Sequence, residues 1–227
     1  MINLLAKRIL VSSLLLLTTL QISAHEVWLE QDKSGSVRVY LGEPGVPDTG
    51  NKIDKLAGSH LFTTDTNDIA PLNQLNDHWQ ANVNDDGDVR LFTESVWQPW
   101  AINENPWWNF WASDDEHFQG AILQARAGRN ETTAKLNFEL VPVTTNGNVF
   151  TAIFEEKPLA NQAVELLSPS KKMIELLTDD NGQLTVSSEE KGRFILSSVH
   201  TVDKKAMHSG KQVDSLMYIT SLSFVVL

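Results

Sequence analysis

Apolar and polar residues alternate along most of the chain, which is the pattern of β-strands with one buried face. In the segment 36–41 the apolar positions are Val37, Val39 and Leu41, and the segment 133–141 repeats the alternation at every second residue. No long segment has the 3.6-residue apolar spacing of an amphipathic helix. The pattern therefore predicts an all-β protein.

Turn residues divide the strands into two groups. A strong strand ends near Pro142, and the polar turn around Asn146 and Gly147 follows it. The remainder, 144–227, contains six or seven short strands separated by turns, which is typical of an Ig-like or Greek-key sandwich. We therefore expect two β-sandwich units, residues 25–143 and residues 144–227, with the β-branched and aromatic segment at the end of the second unit as a central strand.

The first residues have the pattern of a secretion signal. Two cations, Lys7 and Arg8, precede an apolar run that ends in the small residues Ser23 and Ala24. The run is too short for a typical membrane span. We predict that 1–24 is removed and that the mature chain begins at His25 in the bacterial periplasm, without a transmembrane segment.

Composition restricts the chemistry that is available. The chain has no cysteine, so disulfides and thiolate metal sites are excluded and any metal must be bound by nitrogen and oxygen. Its 29 acidic and 18 basic residues give a formal net charge of −11. Such a surface repels nucleic acid and favours cations, so no nucleic-acid partner is expected. Hydrolase and nucleotide-binding motifs are also absent from the sequence.

Several segments resemble a known family. They are the sequence His-Glu-Val-Trp-Leu-Glu at 25–30, Glu-Leu-Val-Pro-Val at 139–143, the pair 157–164 and 178–184, and Thr-Ser-Leu-Ser-Phe at 220–224. Together they resemble the periplasmic family of domain of unknown function 4198, a component of cobalt and nickel ABC-type uptake systems. The Thr-Asp-x-x-Gly turn at 178–182 is also similar to that of carboxypeptidase-regulatory β-sandwiches. The resemblance implies metal handling, while the segment 43–130 does not follow the family pattern.

His25 is the first candidate metal ligand. Cleavage after Ala24 would leave its α-amine free beside its own imidazole, and the amine and Nδ1 of one residue can chelate one ion. A second histidine would complete a histidine brace, as in copper-dependent polysaccharide oxygenases and some periplasmic copper carriers. Amine and imidazole nitrogens suit Cu(II) first and Ni(II) next. The alternative is that His25 is only the first residue of a frayed strand.

Three other histidines could complete the site. His200 ends a predicted strand, at a position where the resembled family also tends to place a histidine, and is the first choice for the third nitrogen. His117 follows three acidic residues that could add oxygen ligands or orient its ring. His208 stands in a polar segment that could fold back as a hairpin. A strand-end, turn or loop histidine without a ligand role is the alternative in each case.

Tryptophans are concentrated in one segment of the chain. Five of the seven fall within 15 residues, at Trp97, Trp100, Trp107, Trp108 and Trp111. Such a density can form a stacking platform for sugar rings or a docking patch for a protein partner. It can equally fold into the core.

The sequence therefore predicts a periplasmic metal-binding protein without catalytic activity. Its cofactor or cargo would be a divalent transition metal, copper first and nickel or cobalt next, delivered to a membrane metal transporter. Two alternatives remain: a glycan- or partner-binding module that uses the tryptophans, and a copper-dependent oxidative enzyme with the same brace. If His25 binds a metal, affinity should fall below neutral pH, because amine and imidazole must lose protons to bind.

Overall fold

The computed structural model describes residues 25–65, 72–83, 87–102, 116–187 and 189–227. In these ranges the chain forms strands in three sheets and one 3₁₀ helix, Gly50–Gly58, so the predicted all-β class is confirmed. None of the helical structure in these ranges is long and apolar enough to cross a bilayer. The predicted signal segment 1–24 lies outside the described residues.

The three sheets are built from strands that are distant in sequence. The first contains β1 (Glu26–Gln31), β2 (Ser36–Glu43), β3 (Val46–Pro47), β5 (Asn73–Gln74) and β6 (Trp79–Asn82). The second, central sheet contains β4 (His60–Phe62), β7 (Val89–Thr93), β8 (Trp100–Ile102), β9 (His117–Ala127), β13 (Ala163–Leu167), β14 (Met173–Leu177), β16 (Gly192–His208) and β17 (Lys211–Val226). The third contains β10 (Phe138–Pro142), β11 (Val149–Phe154), β12 (Lys157–Pro158) and β15 (Gln183–Thr185).

The central sheet joins the two units that the sequence predicts. Its order is β14-β13-β16-β17-β9-β7-β4, with β8 paired to β9. Strand β17 pairs in parallel with β9, from Ser215 opposite Gln119 to Ser223 opposite Ala127. The last strand is therefore central, as predicted, and strands from both predicted units belong to one sheet.

Two apolar cores lie on the two faces of the central sheet. The first core, beneath β1, β2 and β6, includes Val27, Val39, Leu91 and Leu123. The second core lies beneath β10 and β11. Its buried residues include Phe138, Phe150, Phe154, Leu196, Tyr218 and Leu222. The molecule is thus a layered β structure, and a side chain in the second core lies on the opposite face of the central sheet from β1.

Side chains of the central sheet fix the outer edge of β1. The hydroxyl of Ser221 donates a hydrogen bond to the Val27 carbonyl at 2.7 Å, and the hydroxyl of Ser223 donates to the Leu29 carbonyl. These carbonyls would otherwise be buried without partners, which is costly. The hydroxyls therefore attach β1 to β17 and fix the position of His25, which precedes β1.

One predicted strand is half as long as expected. The alternation at 133–141 predicts a strand along that whole segment, but β10 begins only at Phe138. The backbone N–H groups of Lys135 and Leu136 instead donate to Oε2 of Glu139, at 2.6 and 3.0 Å. A buried carboxylate that needs hydrogen-bond donors explains the difference.

Candidate functional site

His25 lies beside a carboxylate that the sequence analysis did not identify. Strand β2 turns tightly into β3, with Gly42 opposite Pro47, and the Asp48 N–H donates to the Leu41 carbonyl at 2.8 Å. This turn brings Oδ2 of Asp48 within 3.3 Å of Nε2 of His25. The His25 side chain is 47% exposed, so it remains accessible, whereas Asp48 is only 15% exposed.

The turn between β2 and β3 requires glycine at its first corner. Gly42 has a φ of +142°, and a Cβ there would lie 2.6 Å from the Val46 carbonyl oxygen. A side chain at this position would therefore open the turn and displace Asp48. The other oxygen of Asp48 is 3.2 Å from Nζ of Lys52, which holds the carboxylate from the opposite side.

The position of Asp48 determines which His25 nitrogen can bind a ligand. A carboxylate beside Nε2 favours a proton on that nitrogen and leaves Nδ1 as the acceptor. Nδ1 is also the ring nitrogen nearest to the backbone nitrogen of the same residue. The contact with Asp48 therefore leaves Nδ1 of His25 free, which is the nitrogen that an amine–imidazole chelate would use.

The structure does not bring His200 beside His25. The His200 ring packs on Phe154 and Phe138, with centroid distances of 4.7 and 5.9 Å, and both phenylalanines belong to the second core. His200 therefore lies on the opposite face of the central sheet from β1. Burial in this aromatic environment lowers the pKa of His200, which favours its neutral form.

His117 and His208 occupy different environments. Nδ1 of His117 is 3.5 Å from Oδ2 of Asp214, on an exposed surface. The same carboxylate accepts the Phe118 N–H, which lowers the pKa of Asp214. His208 is buried, its ring packs against Gly120, and its Nε2 has no hydrogen-bond partner among the described residues. Within the described ranges, no group of three or more His, Asp or Glu side chains is arranged to hold a metal ion.

Two of the five clustered tryptophans can be placed. Trp97 and Trp100 are partly buried and pack against the first core, so they contribute to the fold. Trp107, Trp108 and Trp111 lie outside the described residues. Trp79, like Trp97 and Trp100, packs on the first core. Its Nε1 donates a hydrogen bond to the Ile53 carbonyl at 2.8 Å.

Glu26, next to His25, is the most perturbed carboxyl group that the sequence analysis missed. It is 3% exposed, and burial raises its pKa from 4.5 to about 8, although a hydrogen bond with Ser197 acts in the opposite direction. The nearby carboxylate of Glu165 adds to the increase. Glu26 is therefore mainly neutral near pH 7. No local feature of the sequence distinguishes it from an exposed glutamate.

A second missed feature is a fully buried ionic cluster, made of Asp88, Arg90, Arg126 and Glu139. Arg90 and Arg126 stand opposite each other on β7 and β9, and Oε1 of Glu139 accepts a hydrogen bond from each at 2.8 Å. Asp88 accepts from Nε of Arg126 at 3.1 Å. Although burial alone would lower the pKa of Arg90, the carboxylates of Glu139 and Glu131 raise it overall. The cluster is closed and well hydrogen-bonded, so we assign it a structural role.

Comparisons with known proteins give no assignment. A scan against family models, a search of curated proteins and a search of solved structures each returned no match to this chain. The resemblance to the cobalt and nickel uptake family therefore stays a prediction. The accessible pair His25 and Asp48 is the described feature whose chemistry corresponds best to that prediction.

Proposed function

We propose that the chain binds a divalent transition metal ion at His25 after removal of residues 1–24. Copper is the preferred ion, with nickel and cobalt next, and the protein carries it in the periplasm to a membrane transporter without catalysing a reaction. The observation that supports the proposal most is the 3.3 Å contact between Nε2 of His25 and Oδ2 of Asp48. A carboxylate at this position favours a proton on Nε2, which leaves Nδ1 free for a chelate.

The protein would supply two nitrogen ligands. These are the free α-amine and Nδ1 of His25, with the carboxylate of Asp48 next to the remote ring nitrogen. Histidines that bind metal ions almost always donate their other ring N–H to such an acceptor, which raises the basicity of the ligand. Nitrogen ligands of this kind place Cu(II) above Ni(II) and Co(II) in affinity.

The incomplete ligand set fits carriage better than permanent storage. The described part of the chain offers no cluster of three ligating side chains, and His200 lies on the far face of the central sheet. Water or a donor group from a partner would therefore occupy the remaining coordination positions. An ion held by two protein ligands can be transferred by replacing waters, without first breaking a closed cage.

The overall charge is consistent with a cation as cargo. The formal net charge of −11 produces a negative surface potential, which raises the local concentration of divalent cations. This attraction is not specific for one metal. Selectivity would come from the nitrogen ligands of His25 and from the rigid turn that positions Asp48.

The experiment is a Cu(II) titration of exported protein whose mass confirms that it begins at His25. We expect one equivalent to bind, and we expect Asp48→Asn to weaken binding by about 10- to 100-fold, the usual effect of removing such a carboxylate. Asp54→Asn is the matched control, because it makes the same charge change at an exposed residue that contacts Gln74. Equal affinity of the Asp48→Asn and Asp54→Asn variants would contradict the proposal.

A further inference from the structure

A cleft of about 630 Å³ opens at the end of the molecule where β1 terminates. Its walls are the β1–β2 turn at 32–35, the residues after β9 at 128–130, and the end of β17. The volume is within the range of small-molecule binding sites. Lys33, Arg129 and Arg193 are among the lining residues, and Nε of Arg193 lies 3.4 Å from Oε2 of Glu30.

Arg129 differs from the other arginines in the described ranges. Arg38, Arg90, Arg126 and Arg193 each have an aspartate or glutamate oxygen within 4.0 Å. Arg129 has none. A partly buried guanidinium without a carboxylate partner leaves a positive charge that a ligand could neutralise.

The Arg129 side chain is nevertheless held in place. Nη1 donates to the Gly147 carbonyl at 3.1 Å and to the side-chain oxygen of Asn148, and the guanidinium carbon lies 4.6 Å from the centroid of the Phe224 ring. Its Nε and Nη2 hydrogens have no acceptor in the described part of the chain. Two donors of a fixed planar group are thus available for a carboxylate, whose oxygens fit that geometry.

Because Arg193 is paired with Glu30, Lys33 and Arg129 are the cleft cations without a carboxylate partner among the described residues. Lys33 is exposed and has no ion pair with any described residue. Asp32 is the one acidic residue in the wall, and its Oδ1 accepts hydrogen bonds from the Ser34 and Ser36 N–H groups at 2.9 and 3.1 Å. Its carboxylate is therefore engaged within the turn, and its Oδ2 lies 3.6 Å from Nη2 of Arg38, which does not line the cleft.

We infer that this cleft binds a small organic molecule with a carboxylate group. The carboxylate would contact Nε and Nη2 of Arg129 and the ammonium of Lys33, while the carbon skeleton packs against Phe224 and Val225. The inference is independent of metal binding at His25, which precedes β1 at the other end of that strand.

The test uses succinate as the probe and the Arg129 Nε–H resonance of the ¹⁵N-labelled protein as the readout. We expect a saturable shift with millimolar succinate and none with succinamide, which has the same skeleton without charge. Because a hydrogen bond to a charged group contributes about 1.5 to 3 kcal/mol, Lys33→Gln should weaken succinate binding by about 10-fold or more. Lys157→Gln, at an exposed lysine that does not line the cleft, should have no effect.

Two results would overturn the inference. The first is the lack of a response specific to the charged probe, seen as no shift with succinate or as a shift of equal size with succinamide. The second is saturable binding of inorganic phosphate without binding of succinate, which would assign a different anion. Arg129→Lys serves as a second variant, because it keeps the positive charge and removes the planar fork. We expect it to fold and to bind succinate more weakly than the unaltered protein.

Discussion

Nε2 of His25 lies 3.3 Å from Oδ2 of Asp48, although 23 positions separate the two residues in the chain. The pairing of β1 with β2 and the tight turn into β3 produce this contact. The hydroxyls of Ser221 and Ser223 bond to the edge of β1 and so keep His25, which precedes this strand, in place. The geometry of the proposed site therefore depends on the first sheet and on its attachment to the central sheet.

Glu26 should make stability depend on pH. Its pKa is raised to about 8 in the folded protein, so the folded state binds more protons than the unfolded state between about pH 4.5 and about pH 8. The free energy of unfolding should accordingly decrease as the pH rises through that interval, by an amount on the order of a few kcal/mol. Denaturant unfolding at a series of pH values, with chelator present, measures the effect.

Glu26→Gln removes the titrating group and keeps its shape. We expect the variant to lose most of this pH dependence and to be more stable than the unaltered protein at about pH 8. Glu156→Gln, at an exposed glutamate, serves as the control. Parallel pH curves for the unaltered protein and Glu26→Gln would show that Glu26 is not the source.

The buried ionic cluster should be sensitive to the loss of one charge. Oε1 of Glu139 accepts hydrogen bonds from both Arg90 and Arg126, and all three side chains are fully buried. Glu139→Gln removes a negative charge that balances the two buried arginines. We therefore expect a loss of about 3 to 5 kcal/mol in the free energy of unfolding.

Glu155→Gln is the matched control for that experiment. It breaks the exposed contact with Lys204, which should contribute between about 0 and 1 kcal/mol. Comparable losses in the Glu139→Gln and Glu155→Gln variants, measured by denaturant unfolding, would contradict the structural role of the cluster.

Gly120 and His208 should be energetically coupled. A Cβ at Gly120 would lie 2.7 Å from ring carbons of the buried His208, so Gly120→Ala should destabilise the fold by about 1 to 3 kcal/mol. In a His208→Ala background the same substitution should cost much less, because the ring that causes the clash is absent. A double-mutant cycle measures this difference, and additive losses would mean that the ring is not the source of the clash.

Much of the fold is predictable from the sequence because strand patterning is a local property. Alternation at 36–41 correctly predicts β2, and the apolar, β-branched end of the chain correctly predicts a central strand, β17. Trp79, Ala81 and Val83 alternate in the sequence, and in the structure all three side chains pack in the first core. The parallel pairing of β9 with β17 is not predictable in this way, since it joins segments about 100 residues apart.

The candidate site is less predictable, because it depends on tertiary position. His25 is identifiable from the pattern at 1–24, but its neighbour Asp48 has no local signal. The sequence predicts His200 at a strand end, but β16 continues to His208, and alternation along the strand directs the His200 ring into the second core, away from β1. Glu26 and Glu139 look like ordinary surface carboxylates in the sequence, and only the packing of the sheets makes them buried.

The most direct test of metal binding at His25 compares two forms of the protein in a Cu(II) titration. One begins at His25 with a free α-amine, and the other is acetylated on that amine, which removes the amine nitrogen as a ligand. We predict that the first form binds one equivalent and that acetylation weakens this binding by at least about 10-fold, because the blocked amine can no longer form a chelate with Nδ1. Equal Cu(II) affinity of the two forms would contradict the proposed site.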